Sequence, residues 1–360
     1  MTNREKELLQ ILKENPMISQ NDLADMLNIT RSSIGVHISN LIRKGYIKGK
    51  GYILDEQPYC CVIGGANMDI QCFPKLDLVY HDSNPGNMKL SSGGVGRNIA
   101  ENMIRLGIRT KLITVLGDDL YANAIIDEAK SIGLEIEDSL FLDKTNSSTY
   151  FSVLNKDGDL EIAIASMDIY DSLTDTFIKK KEKIIQNSRI VIIDTNIPES
   201  VIEFIVKTYK NTIFFLDTVS TAKSLKIKDL LGYFHTIKPN KIEAEKLSGI
   251  KIKSDKDLHD VAEYFFKKGV KNVFITLGSE GVYYNDGKFK GTLSGKKIKA
   301  VNTTGAGDAF VAALVYCHLQ EMSIKDTAIF AQNASILTLM HENTINPNMS
   351  LENIIKIEGV

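Results

Sequence analysis

The chain has 360 residues, 43% hydrophobic and 24% charged, ordinary globular usage that excludes a disordered or fibrous protein. Its 43 basic and 45 acidic residues leave a net charge of −2, which excludes a surface that is polyanion-binding throughout but leaves room for a local basic patch. The opening residues MTNREKELLQ are charged from the start, and the longest apolar runs, such as 310–317, fall far below the roughly 18 residues of a membrane span, so a cytoplasmic protein with no membrane partner is expected. Cys60, Cys61, Cys72 and Cys317 show neither metal-ligand nor framework spacing and read as reduced thiols.

In chain order, residues 4–15 carry Leu8, Leu9 and Leu12 at helical spacing with Pro16 just beyond. Ser19 can cap a second helix over 20–27, and Thr30 a third in which Ile34, Ile38, Leu41 and Ile42 form one apolar stripe. Residues 46–48 and 52–54 flank Gly49-Lys50-Gly51 and read as a small hairpin. Three short helices and a two-stranded wing resemble a winged helix-turn-helix module, placed at residues 1–55. Arg31, Ser32, Ser33, His37, Asn40 and Arg43 on the third helix, with Lys48 and Lys50 on the wing, are the side chains that could meet duplex DNA. An ordinary solvated helix face uses the same residue types. Eight basic against six acidic residues make the module only weakly cationic, so useful affinity would need two copies on a two-fold site.

From residue 56 to 360 strands alternate with helices. Strand-like runs at 61–64, 112–116, 190–194, 212–217, 236–238 and 273–277 predict an α/β domain with a mainly parallel sheet covered by helices on both faces. Two runs at 149–154 and 160–165 joined by Asn155-Lys156-Asp157-Gly158-Asp159 predict an inserted β-hairpin, placed to act as a lid or an oligomer contact.

Three glycine-rich elements carry the chemistry. Gly305-Ala306-Gly307-Asp308 precedes an apolar helical run, where backbone amides can surround an anion and a carboxylate can take a hydroxyl proton during phosphoryl transfer. A plain glycine turn with a first-turn Asp would look the same. Gly93-Gly94-Val95-Gly96-Arg97-Asn98 lacks both P-loop and dinucleotide spacing, and is either a cradle for a polar substrate or a tight strand-to-helix turn. Gly64-Gly65-Ala66-Asn67-Met68-Asp69 ends the first strand of this part. Its Asn67 and Asp69 could hold vicinal sugar hydroxyls or form an Asx turn.

Together these elements, with Lys238-Pro239-Asn240-Lys241-Ile242-Glu243 and Thr276-Leu277-Gly278-Ser279-Glu280-Gly281, resemble the ribokinase-like, PfkB-type family of sugar and nucleoside kinases over residues 59–360. The segments 93–102, 217–220 and 238–249, with the hairpin running into Met167-Asp168, look most like the pseudouridine kinases of that family, some of which carry an N-terminal winged helix. The resemblance implies ATP and Mg²⁺ as cofactors, pseudouridine as the substrate and its 5′-phosphate as the product. It implies Asp308 as the base, the amides of Gly305, Ala306 and Gly307 as the anion hole, and Asn67, Asp69, Gly93, Gly94 and Asn98 as ribose ligands. Asn240 and Glu243 would organise Mg²⁺ through water. Thr276, Gly278 and Gly281 would line the nucleotide, with Asn333 near the adenine and Thr149 as a lid contact to the nucleobase. The family also raises K⁺ as a cofactor, at an Asp whose place Asn302 takes here, so the charge that would hold the ion is missing. A homodimer through the lid is expected, and the rival readings are a kinase for another nucleoside or ribose and a transcription regulator whose kinase-like part only senses a nucleoside.

Overall fold

Three hydroxyl side chains start the three N-terminal helices in the computed structural model, which describes residues 1–48, 58–157 and 159–357. Thr2 caps Asn3–Glu14 in a capping box with Glu5, Ser19 caps Gln20–Leu27, and Thr30 caps Arg31–Arg43. Leu8, Leu12, Leu23, Ile34 and Leu41 fill one small core. Ile42, expected in the same stripe, is 37% exposed, because it stands about 100° round the helix from Leu41 and only one of the two can face inward. Arg31, Ser32 and Arg43 are exposed, Ser33, His37 and Asn40 half-buried, and Lys48 exposed. Lys50 and the second arm of the expected wing lie outside the described residues.

The remaining described residues form the strands β1 (Cys60–Ile63), β2 (Asn67–Pro74), β3 (Gly86–Gly93), β4 (Thr110–Ile113), β5 (Val115–Leu116), β6 (Leu140–Phe141) and β7 (Thr149–Leu154). These are followed by β8 (Leu160–Ser166), β9 (Val191–Asp194), β10 (Phe214–Asp217), β11 (Thr236–Ile237), β12 (Asn272–Thr276), β13 (Gly281–Asn285) and β14 (Lys290–Ser294). An eight-stranded sheet has the order β14-β13-β12-β11-β10-β9-β1-β4, parallel from β12 to β4, with β13 and β14 antiparallel. Its central strands β1, β9 and β10 are buried along their whole length because both faces are covered. Cys60 and Val62 enter one core with the helices Val95–Arg105 and Ala306–Leu319, while Cys61 and Ile63 enter a second with Glu199–Thr208 and Asp255–Lys268. Each fully buried aliphatic side chain here contributes roughly 1.5–3 kcal/mol.

A second sheet, β3-β2-β7-β8, stands over the C-terminal ends of these strands, since β2 leaves directly from the end of β1. The β7–β8 hairpin matches the expectation. The partners β2 and β3 make it a four-stranded lid, and Asn67 to Asp69, weighed above as a turn, begin a strand. Register and pleat place Asp69, Ser91 and Tyr150 on one face, and Met68, Ile70, Leu90, Phe151 and Ile164 on the other.

Candidate active site

At the helix Ala306–Leu319 the chain enters through Gly305, whose φ of +82° is left-handed, and a Cβ there would lie 2.0 Å from the carbonyl oxygen of Thr344. Only glycine fits. The first-turn amides of this helix have no intrahelical acceptor and collect the positive end of its dipole. Gly307 brings the backbone against an ammonium, since a Cβ on it would stand 3.2 Å from Lys238 Nζ.

Asp308, in the same first turn, is buried. Asn98, from the first turn of the helix Val95–Arg105, donates through Nδ2 to Asp308 Oδ2 at 2.8 Å. The Asn98 Oδ1 is buried with no hydrogen-bond partner. Burial raises the Asp308 carboxyl well above the usual carboxylate range, and Asp217 and Asp194 push the same way against Asn98 and Lys238. These aspartates end adjacent strands in direct register, Asp217 opposite Asp194. Lys238 lies 3.4 Å from Asp217 Oδ2. Desolvation of the buried Lys238 works against its charge, yet Asp217, Glu243 and Asp308 outweigh it and its pKa is raised. Lys238 therefore remains an ammonium beside the helix start. Sequence reasoning quoted it without giving it a role. The available signal was a lysine closing the apolar strand run Thr236-Ile237.

On the lid, Asp69 of β2 is held between Asn67 and Gly93. Asn67 Nδ2 donates to Asp69 Oδ1 at 2.6 Å, and a Cβ on Gly93 would lie 2.1 Å from Asp69 Oδ2, so the carboxylate occupies the space the glycine leaves. Burial, opposed by Asn67 and Arg97, pushes Asp69 up to about 6. Gly94 has φ +96°, and a Cβ on it would lie 2.6 Å from Ala66 Cα, so the close packing there requires glycine. Thr149 pairs with Met68, and so stands on the face opposite to Asp69. Tyr150, one residue on, shares the Asp69 face.

A cleft of about 790 Å³ runs from Ala306 and Gly307 to the outer strands. Asn240, Thr276, Gly278 and Gly281 line it as expected, together with Val282, Phe310, Ile336 and Leu339. Its polar end lies at the helix start and its apolar walls suit a flat ring. Asn333 is buried and does not line the cleft, whereas Gln332, Ser335 and Ile336 of the same helix do. Asn240 and Glu243 form a capping box, each side chain binding the other's backbone N–H at 2.9 Å. The Thr218 hydroxyl donates to Glu243 Oε2 at 2.6 Å. No group of three or more His, Cys, Asp or Glu is arranged to hold a metal directly among the described residues. Asn302 stands three residues before Gly305, with both of its amide atoms engaged. No helix of the described residues is long and apolar enough to cross a membrane.

Residues 57–351 match the pfkB family of carbohydrate kinases, and residues 1–48 match a winged helix-turn-helix DNA-binding family. An uncharacterized sugar kinase of Escherichia coli is 37% identical over 359 residues, covering 99% of this chain and 99% of that protein. A pseudouridine kinase of Escherichia coli is 35% identical over 303 residues, 84% of this chain and 97% of that protein. Among solved structures, one from Clostridium perfringens described as a sugar kinase is 38% identical with a TM-score of 0.78, covering 85% of this chain and 97% of that one.

Proposed function

The chain belongs to the pfkB family of carbohydrate kinases, and from that premise we propose that it transfers the γ-phosphoryl group of ATP to the 5′-hydroxyl of a nucleoside, pseudouridine before others. One observation carries the reading: the buried, unpartnered Asn98 Oδ1 beside a carboxyl group that Asn98 itself holds at 2.8 Å. A buried carbonyl without a donor is costly, and a ribose hydroxyl other than the reacting one would supply it. Asp308 takes the proton of the 5′-hydroxyl as its oxygen bonds to the γ-phosphorus. The bond from that phosphorus to the bridging oxygen breaks, and ADP leaves with the electron pair. The amides of Gly305, Ala306 and Gly307 and the Lys238 ammonium carry the charge on the transferring oxygens. Asn67, Asp69, Gly93 and Gly94 hold the ribose. The adenine enters the cleft between Val282, Phe310, Ile336 and Leu339, past Thr276, Gly278 and Gly281.

Because the capping box already occupies Asn240 Oδ1 and Glu243 Oε2, this pair fits Mg²⁺ through its water shell rather than by direct ligation. Bound there, the ion would neutralise charge on the ATP phosphates. The lid exposes Met88, Leu90, Leu160, Ile162 and Ile164, and a second copy of the chain is the proposed cover for this apolar face. Exposed Arg31, Ser32 and Arg43 on a capped helix support duplex DNA as a second partner. The test is product identification. With ATP, Mg²⁺ and pseudouridine, NMR should find a single phosphorus coupled to the 5′ protons. Phosphate on any other hydroxyl, or no product, would refute the assignment.

A further inference from the structure

The turn that delivers the anion-hole glycines is held from behind by one side chain. Asn302 Nδ2 donates to the Glu342 carbonyl at 2.9 Å, and Asn302 Oδ1 accepts from Thr304 N–H at 2.9 Å. Val301 N–H also reaches the Leu339 carbonyl at 2.8 Å, and Gly305 lies flat against Thr344. Segment 301–305 is therefore fastened along the segment 339–344. That second segment and the residues just after it are themselves pinned by the chain's own cations. Lys89 Nζ lies 3.1 Å from Asn343 Oδ1, and Arg105 Nη1 donates to the Pro347 carbonyl at 2.9 Å.

The orientation of the Asn302 amide is fixed by its partners. Turned over, it would set Nδ2 against the Thr304 N–H and Oδ1 against the Glu342 carbonyl, two repulsive contacts in place of two hydrogen bonds. The donor set does not fit a monovalent cation at this place. The one side-chain oxygen of Asn302 is taken by an N–H, and the Glu342 carbonyl faces an N–H where an ion would need its lone pair. There is also no carboxylate charge on Asn302 to offset the cost of stripping the ion of water.

We propose that the Asn302 amide stands in for a monovalent cation, stapling the anion-hole turn to the 342–344 segment so that phosphoryl transfer proceeds without K⁺. The inference rests on the kinase reading for its catalytic consequence, while the staple itself is a property of the folded chain. It makes the converse change informative. Asn302→Asp would aim a carboxylate oxygen at the Glu342 carbonyl, a repulsion that a bound cation relieves, so the variant should acquire the cation dependence that the natural chain lacks.

The experiment compares thermal unfolding midpoint and initial rate in KCl and in choline chloride at equal ionic strength, for the wild type and for Asn302→Asp. The wild type should give the same midpoint in both salts and rates within about twofold of each other. Asn302→Asp in choline should lose about tenfold in rate, the scale of one hydrogen bond lost and replaced by a repulsion. Its midpoint should fall as well, and both should recover along one saturable KCl titration. Saturable K⁺ stimulation of the wild-type midpoint or rate would overturn the proposal even if the variant failed to fold. So would an Asn302→Asp protein that matches the wild type in choline. The midpoint needs no substrate, so failure of the staple is distinguishable from failure of the kinase reading.

Discussion

Asp308→Asn exchanges one carboxylate oxygen for an amide nitrogen in a site already organised around that group. The remaining oxygen can keep the 2.8 Å bond from Asn98 Nδ2, and the new N–H₂ can donate to Asn98 Oδ1, so the local geometry should survive. Catalysis should not. Loss of a positioned base costs about 10²–10⁴ in rate, or about 3–5 kcal/mol of barrier. Stability should move the other way. Burial, Asp217 and Asp194 all disfavour the Asp308 carboxylate, so its pKa is raised on folding. Between the ordinary carboxylate range and that raised value, the folded chain keeps a proton that the unfolded chain has released, and wild-type stability falls as pH rises. Removing the charge removes this loss, while Lys238 retains Asp217 as its partner at 3.4 Å. The assay is kcat from ADP release at saturating ATP, Mg²⁺ and nucleoside, alongside unfolding midpoints from pH 5 to 8. We expect kcat at least about 10²-fold lower, with a midpoint that is undiminished at pH 5 and higher than wild type at pH 8. A folded variant within about tenfold of wild-type kcat would refute the base, and a lowered midpoint at pH 8 would refute the electrostatic argument.

His235 stacks on Phe215 and meets His318 edge-on at 4.8 Å, and burial, then His318 and Lys271, push it down to about 4. The folded chain keeps this ring neutral, so stability is full above about pH 6.5 and is lost towards pH 4, on the order of 2–3 kcal/mol; His235→Gln should flatten the denaturant midpoint over that window. For the N-terminal segment, fluorescence anisotropy on DNA from upstream of the gene should show affinity falling with salt, and Arg31→Ala should reduce the salt slope by about one. Equal binding with residues 1–48 deleted would leave that segment a structural role. At the lid, where Ile162 is 56% and Ile164 60% exposed, Ile162→Glu with Ile164→Glu should convert a sedimenting dimer into a monomer; a wild-type monomer at micromolar concentration would remove the interface.

Helix starts were legible because a hydroxyl at the cap satisfies a definite backbone N–H, and Ser19 and Thr30 act where that chemistry placed them. The parallel strands were legible because burial on both faces leaves unbroken apolar runs. Strands β2 and β3 were harder, since the lid is buried on one side only and its alternation, Asn67-Met68-Asp69-Ile70, begins within a turn-forming segment. The same half-burial hides which residue of β7 shares the Asp69 face, because a period of two sends Thr149 and Tyr150 to opposite faces. Asn333 stands off the cleft for the helical counterpart of that reason: the stripe lining it passes through Gln332, Ser335 and Ile336. Lys238 was in plain view, but its role depends on Gly307, 69 residues later, leaving room for it. No local pattern carries that distance.

The central claim is that a nucleoside 5′-hydroxyl gives its proton to Asp308 as it takes the phosphoryl group, while Asn98 holds another ribose hydroxyl, and it is tested most directly by competition. With ATP and Mg²⁺ fixed, kcat/KM should be measured for pseudouridine, uridine, inosine, guanosine and ribose in one preparation of the full chain. We predict that pseudouridine exceeds ribose by at least about 10²-fold, because a nucleobase adds lid contacts worth some 3 kcal/mol that free ribose lacks. Equal or higher kcat/KM for free ribose would contradict the account.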